Sequence, residues 1–493
     1  MYIGYFYPYS AYNFFIYNIS LIALFGLVFF QIYRNSLFFS FYMWLFFFLL
    51  FPKKSIVPNL DSLLTNSVGL SDNFLVVPDF SFYHIVNFVI LLSISYKVFY
   101  TLYIKFNYLS KRLFLIFSTF FCTSIFATLY YNIFLSKYLS VNYLSVDYLT
   151  QFHHLLQIFE GLIFSIVIFL GVKKKEDYDA IFKLFLLTLL ITSTEFFLVS
   201  YTDLLPDFIK YFSLNYRGAF RSFIHSGSLP TGLMLFYGFL GVLGLFKKNK
   251  YLLFLLPVIA LPIFYTYERS TMLLVIIASA TFLFFKFLPY LSFNRMMTVL
   301  VVLFFTANIL SRSDFSEVKN FVNKNLNYNV VDGSVIKAKG WFTFSSSQPR
   351  KGTRKRAMDV FYFSPFFGSG PGNLKIMMAS SMVPMKTNLF LMGDEEYQFY
   401  TDVATAYHPT DPHNFYIRLI AEYGIFGLIF LLAFLYLIVL SISNTNKVRN
   451  INIIGHCGIY SIIGYGFFQT FPISYPMIIL FLTMITFNNQ SIE

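Results

Sequence analysis

The residue best placed to move a proton is His413, which with Asn414 opens the stretch His-Asn-Phe-Tyr-Ile-Arg-Leu-Ile-Ala-Glu-Tyr-Gly-Ile-Phe-Gly427. A long polar segment ends there and a strongly apolar run begins, so the imidazole falls at a water–membrane boundary. A neutral imidazole at about pH 7 can accept a proton from a hydroxyl. An interfacial polar histidine would read the same way, and His408 is a second candidate, but the spacing to the apolar run favours His413. Asp411 and Pro412 are a helix-start signal, because proline is tolerated in a first turn and aspartate complements the positive helix end. The helix is expected to run to about Ile442. His413, Ile417, Ile420, Gly424 and Gly427 recur every three or four residues and are expected on one face, where the glycines would admit a neighbouring helix.

Arginines supply the complementary chemistry. Tyr267-Glu268-Arg269-Ser270 precedes an apolar run, so Arg269 reads either as a cation snorkelling to the lipid head groups or as a fork that binds phosphate. Glu268 would orient it as a counter-ion. Arg217 and Arg221 lie one helical turn apart in Tyr216-Arg-Gly-Ala-Phe-Arg-Ser-Phe-Ile-His225, at the end of a span whose other end is Lys247-Lys248. Interfacial arginines or an anionic ligand would each explain them. Ser364-Pro-Phe-Phe-Gly368-Ser-Gly370-Pro-Gly372 permits a tight turn and close backbone approach, without the lysine of a nucleotide-binding loop.

No His-x-x-x-His or paired catalytic acidic motif falls on the expected outer side, and Asp394-Glu395-Glu396, which could bind a divalent ion, reads more readily as a solvated acidic turn. Neither metal nor cofactor is expected. Cys122 and Cys457 both sit in apolar runs and read as buried apolar residues. Glu160 and Glu195 fall inside spans, where an ionisable group is a functional candidate or hydrogen-bonds between helices.

The elements that must position these groups are membrane helices. The chain has 493 residues, 57% hydrophobic and 12% charged, with mean hydropathy +0.65. A soluble protein would carry roughly twice that charged fraction. Hydropathy predicts spans at 14–33, 36–51, 84–104, 112–135, 153–172, 180–200, 222–246, 251–267, 270–289, 296–311, 414–442, 452–470 and 474–488. The sequence therefore divides into transmembrane helices over 1–311, a large polar loop over 312–413 and C-terminal helices over 414–493. Residues 1–13 show neither a basic region nor a cleavage site, so the first spans are expected to drive insertion.

The net charge of +13 reports loop placement rather than nucleic-acid binding. Lys105, Lys111 and Arg112, then Lys173 to Lys175, Lys247 to Lys250, Lys286 with Arg295, and Lys447 with Arg449 occupy alternate connections. Those connections are expected in the cytoplasm and the large loop outside; Lys53 and Lys54 break the pattern. Within the loop, Arg350-Lys-Gly-Thr-Arg354-Lys-Arg356 is a dense basic run and Trp341, Phe342, Phe361 and Tyr362 are among many aromatics, which argue for a folded loop.

These residues together resemble the O-antigen ligase and O-antigen polymerase family of bacterial membrane glycosyltransferases. His413-Asn414 with Glu422, Gly424 and Gly427 resembles the family's histidine–asparagine helix motif, and Arg269-Ser270 its arginine after an outer turn. Arg217 to Gly227 resembles the earlier arginine segment, with Ser226-Gly227-Ser228 in place of the usual Asn-Pro-Asn; Pro365 to Gly372 resembles the late Gly-x-Gly turn.

The resemblance implies an all-α polytopic membrane protein of about 12–13 helices, GT-C-like, with one large periplasmic loop domain, in the bacterial inner membrane. It implies inverting, metal-independent glycan transfer from an undecaprenyl-pyrophosphate donor to lipid A–core or to a second glycan acceptor. His413 would deprotonate the acceptor hydroxyl; Arg217 or Arg221, with Arg269, would hold the pyrophosphate; Asn414 would orient the imidazole or bind sugar. A ligase, a polymerase and a protein O-glycosyltransferase share these parts. A lipid-linked glycan transporter is the non-enzymatic rival, but would not need the histidine.

Overall fold

The computed structural model describes residue 26, residues 37–50, 91, 94–95, 108–135, 148–202, 220, 222, 228–266, 269–287, 328–331, 334–337, 347–380, 383–384, 412–443, 450–467 and 474–487. Helices dominate: α1 (Leu37–Leu50), α2 (Tyr108–Tyr130, extended by a π turn at Tyr131–Leu135), α3 (Tyr148–Gly171), α4 (Lys175–Tyr201), α5 (Ser228–Leu245), α6 (Leu255–Tyr265) and α7 (Arg269–Phe287). After a small antiparallel hairpin of β1 (Tyr328–Val331) and β2 (Ser334–Lys337) come α8 (Ser347–Phe363), α9 (Leu374–Ala379), α10 (Phe415–Ser443), α11 (Asn450–Gly466) and α12 (Tyr475–Ile485). The protein is an all-α polytopic membrane protein. Four stretches among the described residues are long and apolar enough to cross a bilayer: Lys111–Leu135, His154–Gly171, Lys175–Ser200 and Phe415–Leu440. Predicted spans 14–33, 84–104 and 296–311 lie almost wholly outside the described residues.

One continuous core of Leu, Ile and Phe joins α1 to α5, α7 and α10 to α12. Small residues set how closely the helices approach. On α5, a Cβ at Gly241 would lie 2.8 Å from the Phe182 carbonyl of α4, and one at Gly232 would run into Thr271 of α7. Such contacts let dispersion act between backbones where lipid supplies no hydrophobic drive. The 14-residue α1 is about 21 Å long at 1.5 Å per residue, short of the hydrocarbon thickness. It fits because Phe41, Trp44, Leu45 and Leu49 are buried among longer neighbours.

The two ends of the bundle differ. At one end Lys248 pairs with Asp179, Arg112 lies over the Tyr436 ring, and Asn450 donates to the Gly244 carbonyl at 2.9 Å. Asn452 caps the end of α12 through the Met484, Ile485 and Phe487 carbonyls at 2.9, 2.8 and 3.1 Å. This end gathers the basic connections as far as their residues are described, among them Arg112 and Lys248. The opposite, distal end carries α8 and α9. There Tyr131 and Leu135 of α2, Ala357 and Val360 of α8, Met377 and Met378 of α9 and Ala421 of α10 form a second apolar cluster. Residues 347–380 are thereby folded onto the bundle, chiefly through aliphatic and methionine side chains.

Candidate functional site

His413 stands immediately before α10, not within it. Its φ is +48°, the left-handed region, while the helix begins at Phe415. Histidine tolerates this conformation better than most residues, at a cost on the order of 1 kcal/mol. Asn414 is the cap: its Oδ1 accepts from the Ile417 amide at 2.9 Å, and its Nδ2 donates to the Phe467 carbonyl at 3.2 Å. The expected start at Asp411-Pro412 is therefore corrected, because the left-handed residue at 413 breaks any helix running through it. Asn414 joins the first turn of α10 to the end of α11. His413 itself is partly exposed at the distal end.

Arg354 of α8 completes the junction. Its guanidinium donates to the Pro412 carbonyl at 3.4 Å, the His413 carbonyl at 3.1 Å and the Phe467 carbonyl at 3.0 Å. Phe467 follows the last residue of α11, so the cation also meets the negative end of that helix. Arg356, two residues on, points inward and donates to the carbonyls of Met378, Val383 and Ser380 at 2.7, 2.9 and 2.9 Å beside buried Asp359. The basic run thus spends two of its arginines holding the fold.

The shared face expected for His413, Ile417, Ile420, Gly424 and Gly427 is also corrected. Gly424 has φ +61° and ψ −141°, which breaks α10 one turn past Ile420. Into that break docks a turn, where a second helix was expected. The Ser369 and Gly370 amides donate to the Ala421 and Glu422 carbonyls, both at 2.9 Å, and the Ile425 amide donates to the Pro365 carbonyl at 2.8 Å. Gly368, Gly370 and Gly372 have φ of +61°, +75° and +79°. Side chains at Gly368 or Gly424 would enter the opposing backbone, Ala421 and Glu422 in one case and Phe366 in the other. Gly427 is packed against the Leu419 carbonyl within its own helix, across the break. The two glycine motifs, far apart in sequence, are one interlock.

Around the interlock lies a polar layer. Buried Glu422 accepts from Arg418 Nε at 3.0 Å, and Arg418 Nη2 lies 2.8 Å from His154 Nε2 of α3. Arginine has only donors, so His154 Nε2 carries the lone pair and its proton sits on Nδ1. Gln151 of α3 donates to Asn373 beside the turn at 2.9 Å and pairs with Asn132 of α2. Sequence reading overlooked Arg418 and His154; the four-residue spacing of Arg418 to Glu422 was a visible signal, whereas nothing marked His154.

Arg217, Arg221 and Glu268 are outside the described residues, and Arg269 is described only as the first residue of α7. Phe220, the described residue just before Arg221 in sequence, donates its amide to the Tyr265 carbonyl at the end of α6 at 2.7 Å. Ser222, next to Arg221, donates to Glu195 of α4, and its amide donates to Thr231 at 2.8 Å. Glu195 thus has a hydrogen-bonding role between elements. Helix α7 packs in turn on α11, where Ser461 donates to the Leu274 carbonyl at 3.0 Å. So α11 lies between α7, which Arg269 opens, and the His413 junction. Among the described residues no group of three His, Cys, Asp or Glu is placed to hold a metal ion.

Residues 251–432 match the family described as O-antigen ligase. The match runs from just before α6 to the middle of α10, so it includes Arg269, the glycine turn, His413 and the Gly424 break. No match to a curated protein accompanies it.

Proposed function

We propose, taking residues 251–432 as the O-antigen ligase domain of a bacterial membrane protein, that the chain transfers a glycan from undecaprenyl pyrophosphate to an acceptor hydroxyl. The reaction takes place at the distal end, which faces the periplasm of the inner membrane. His413 carries this reading: it is a partly exposed imidazole at a membrane-helix mouth, at the end opposite the basic connections. It takes the proton of the attacking hydroxyl. The leaving group is a pyrophosphate, already acidic, so neutralising its charge matters more than protonating it. Arg217 or Arg221, with Arg269, cradles it as the sugar bond breaks. Glu268 steadies Arg269. The acceptor is lipid A–core; a polymerase or a protein O-glycosyltransferase would use the same parts on a different hydroxyl.

Complementation tests the reading. In a strain lacking the chromosomal copy, His413→Ala at equal membrane expression is expected to abolish surface-glycan display. The stalled species then identifies the acceptor. Long lipid-linked chains mean a ligase, single repeat units a polymerase, and unmodified glycoprotein a protein glycosyltransferase. Full display by the variant would overturn the catalytic role and favour a transporter.

A further inference from the structure

Three segments meet beside His413: α8 through Arg354, the start of α10 through Asn414, and the end of α11 through the Phe467 carbonyl that both side chains use. Arg354 ties α8 both to the residues that lead into α10 and to the end of α11. It reaches the carbonyls on both sides of the His413 Cα, those of Pro412 and His413, together with the carbonyl of Phe467, which Asn414 also uses. A peptide held at both flanking carbonyls has little freedom left in φ and ψ, so the direction of its side chain is set. We infer that Arg354 is the positioning residue for His413, locking the left-handed conformation that aims the imidazole, and that it does not itself bind the donor. The inference deepens the proposed transfer reaction and rests on His413 being its base.

Two further features support it. The bonds are directed to backbone carbonyls from a fork whose donors are rigidly spaced, which a flexible ammonium cannot reproduce. In addition, α8 is seated independently, because Arg356 anchors it to the segment after α9 while Ala357 and Val360 enter the distal apolar cluster. Arg354 therefore projects from a fixed support, and its loss leaves that support in place.

The experiment compares Arg354→Ala and Arg354→Lys with the unaltered full chain, purified in detergent. The first readout is the rate at which diethyl pyrocarbonate modifies His413, followed by mass spectrometry of the peptide. The second is affinity for undecaprenyl pyrophosphate, the lipid product. The third is surface-glycan display in the complemented strain. In Arg354→Ala the modification rate is expected to shift several-fold, undecaprenyl pyrophosphate affinity to hold, and display to fall by about a hundredfold, the scale of a misplaced catalytic group. Arg354→Lys is expected to fall between, since it keeps the charge and loses the fork.

An unchanged modification rate in either folded variant overturns the inference. So does a loss of undecaprenyl pyrophosphate affinity, which would make Arg354 a donor ligand. Should Arg354→Ala fail to fold, Arg354→Lys decides by the same readouts. Persistent display in His413→Ala sinks the transfer reading instead, and it is distinguishable because the modification shift in the Arg354 variants does not depend on turnover.

Discussion

Asn414 uses both ends of its amide, one as a helix cap and one as a tie to α11. Asn414→Asp keeps the acceptor for the Ile417 amide but sets a carboxylate against the Phe467 carbonyl. Asn414→Ala removes both bonds. Losing an N-cap costs about 1 kcal/mol, and a lowered thermal midpoint in detergent is expected for Asn414→Ala. Display should drop as well, because the cap adjoins His413; an unaltered midpoint would show that the cap does not hold the helix start. At this scale the sequence was readable for residue type but not for backbone conformation. The residue pair at 413–414 was recognisable because a polar dipeptide at the edge of an apolar run is unusual. The resemblance implies that Asn414 orients the imidazole or binds sugar; its use as a cap and as a tie to α11 had no signal in the spacing, because 413 was read on the helix face. A single left-handed φ changes the direction of every side chain beside it.

Between elements, the interlock of the glycine turn with the break in α10 governs stability. Gly424→Ala would force a residue with a Cβ into a φ and ψ combination that essentially only glycine adopts, and drive that Cβ into the Phe366 backbone. Gly368→Ala meets the Ala421 and Glu422 backbone from the other side. Each substitution is expected to destabilise by about 3 kcal/mol or more through backbone strain and lost amide bonds. Detergent thermal melts and protease sensitivity of the 347–383 segment would register it. Neither change should be rescued by the other, since both add atoms to the same interface; mutual rescue would show that the turn and the break do not meet. Sequence periodicity could not find this arrangement. Gly424 and Gly427 fit a helical repeat, and nothing local announces that a glycine at a regular position leaves the helix. The turn at 364–372 had no partner in sequence, because its partner lies some fifty residues on and is backbone.

At the scale of the whole molecule, the alternation of basic connections was the strongest signal, and the contacts among Lys248 and Asp179, Arg112 and Tyr436, and Asn450 and Gly244 gather several of them at one end. Hydropathy located the long spans α2, α3, α4 and α10 and also the short α1, since burial of apolar side chains drives both kinds. The starts of α2, α3 and α4 lie four or five residues before the predicted ones, while the bounds of α1 and α10 agree to within one. Orientation is directly testable. With Cys122 replaced by Ala, a cysteine at exposed Lys351 is expected to react with a membrane-impermeant maleimide in cells whose outer membrane is permeabilised, while one at exposed Lys174 reacts only after lysis. The reverse pattern would place the distal end, with His413, in the cytoplasm.

The broken α10 also bears on how the chain is made. A helix interrupted at Gly424 leaves the Ala421 and Glu422 carbonyls to be satisfied by Ser369 and Gly370, and hydrocarbon offers no substitute partner. Residues 364–372 precede α10 in the chain, so under the proposed topology the turn crosses the membrane before the helix leaves the translocon. The amides are waiting when the carbonyls arrive. Moving the turn to a position after α10, by circular permutation, would require the break to form without its partner and should send the nascent protein to membrane proteolysis.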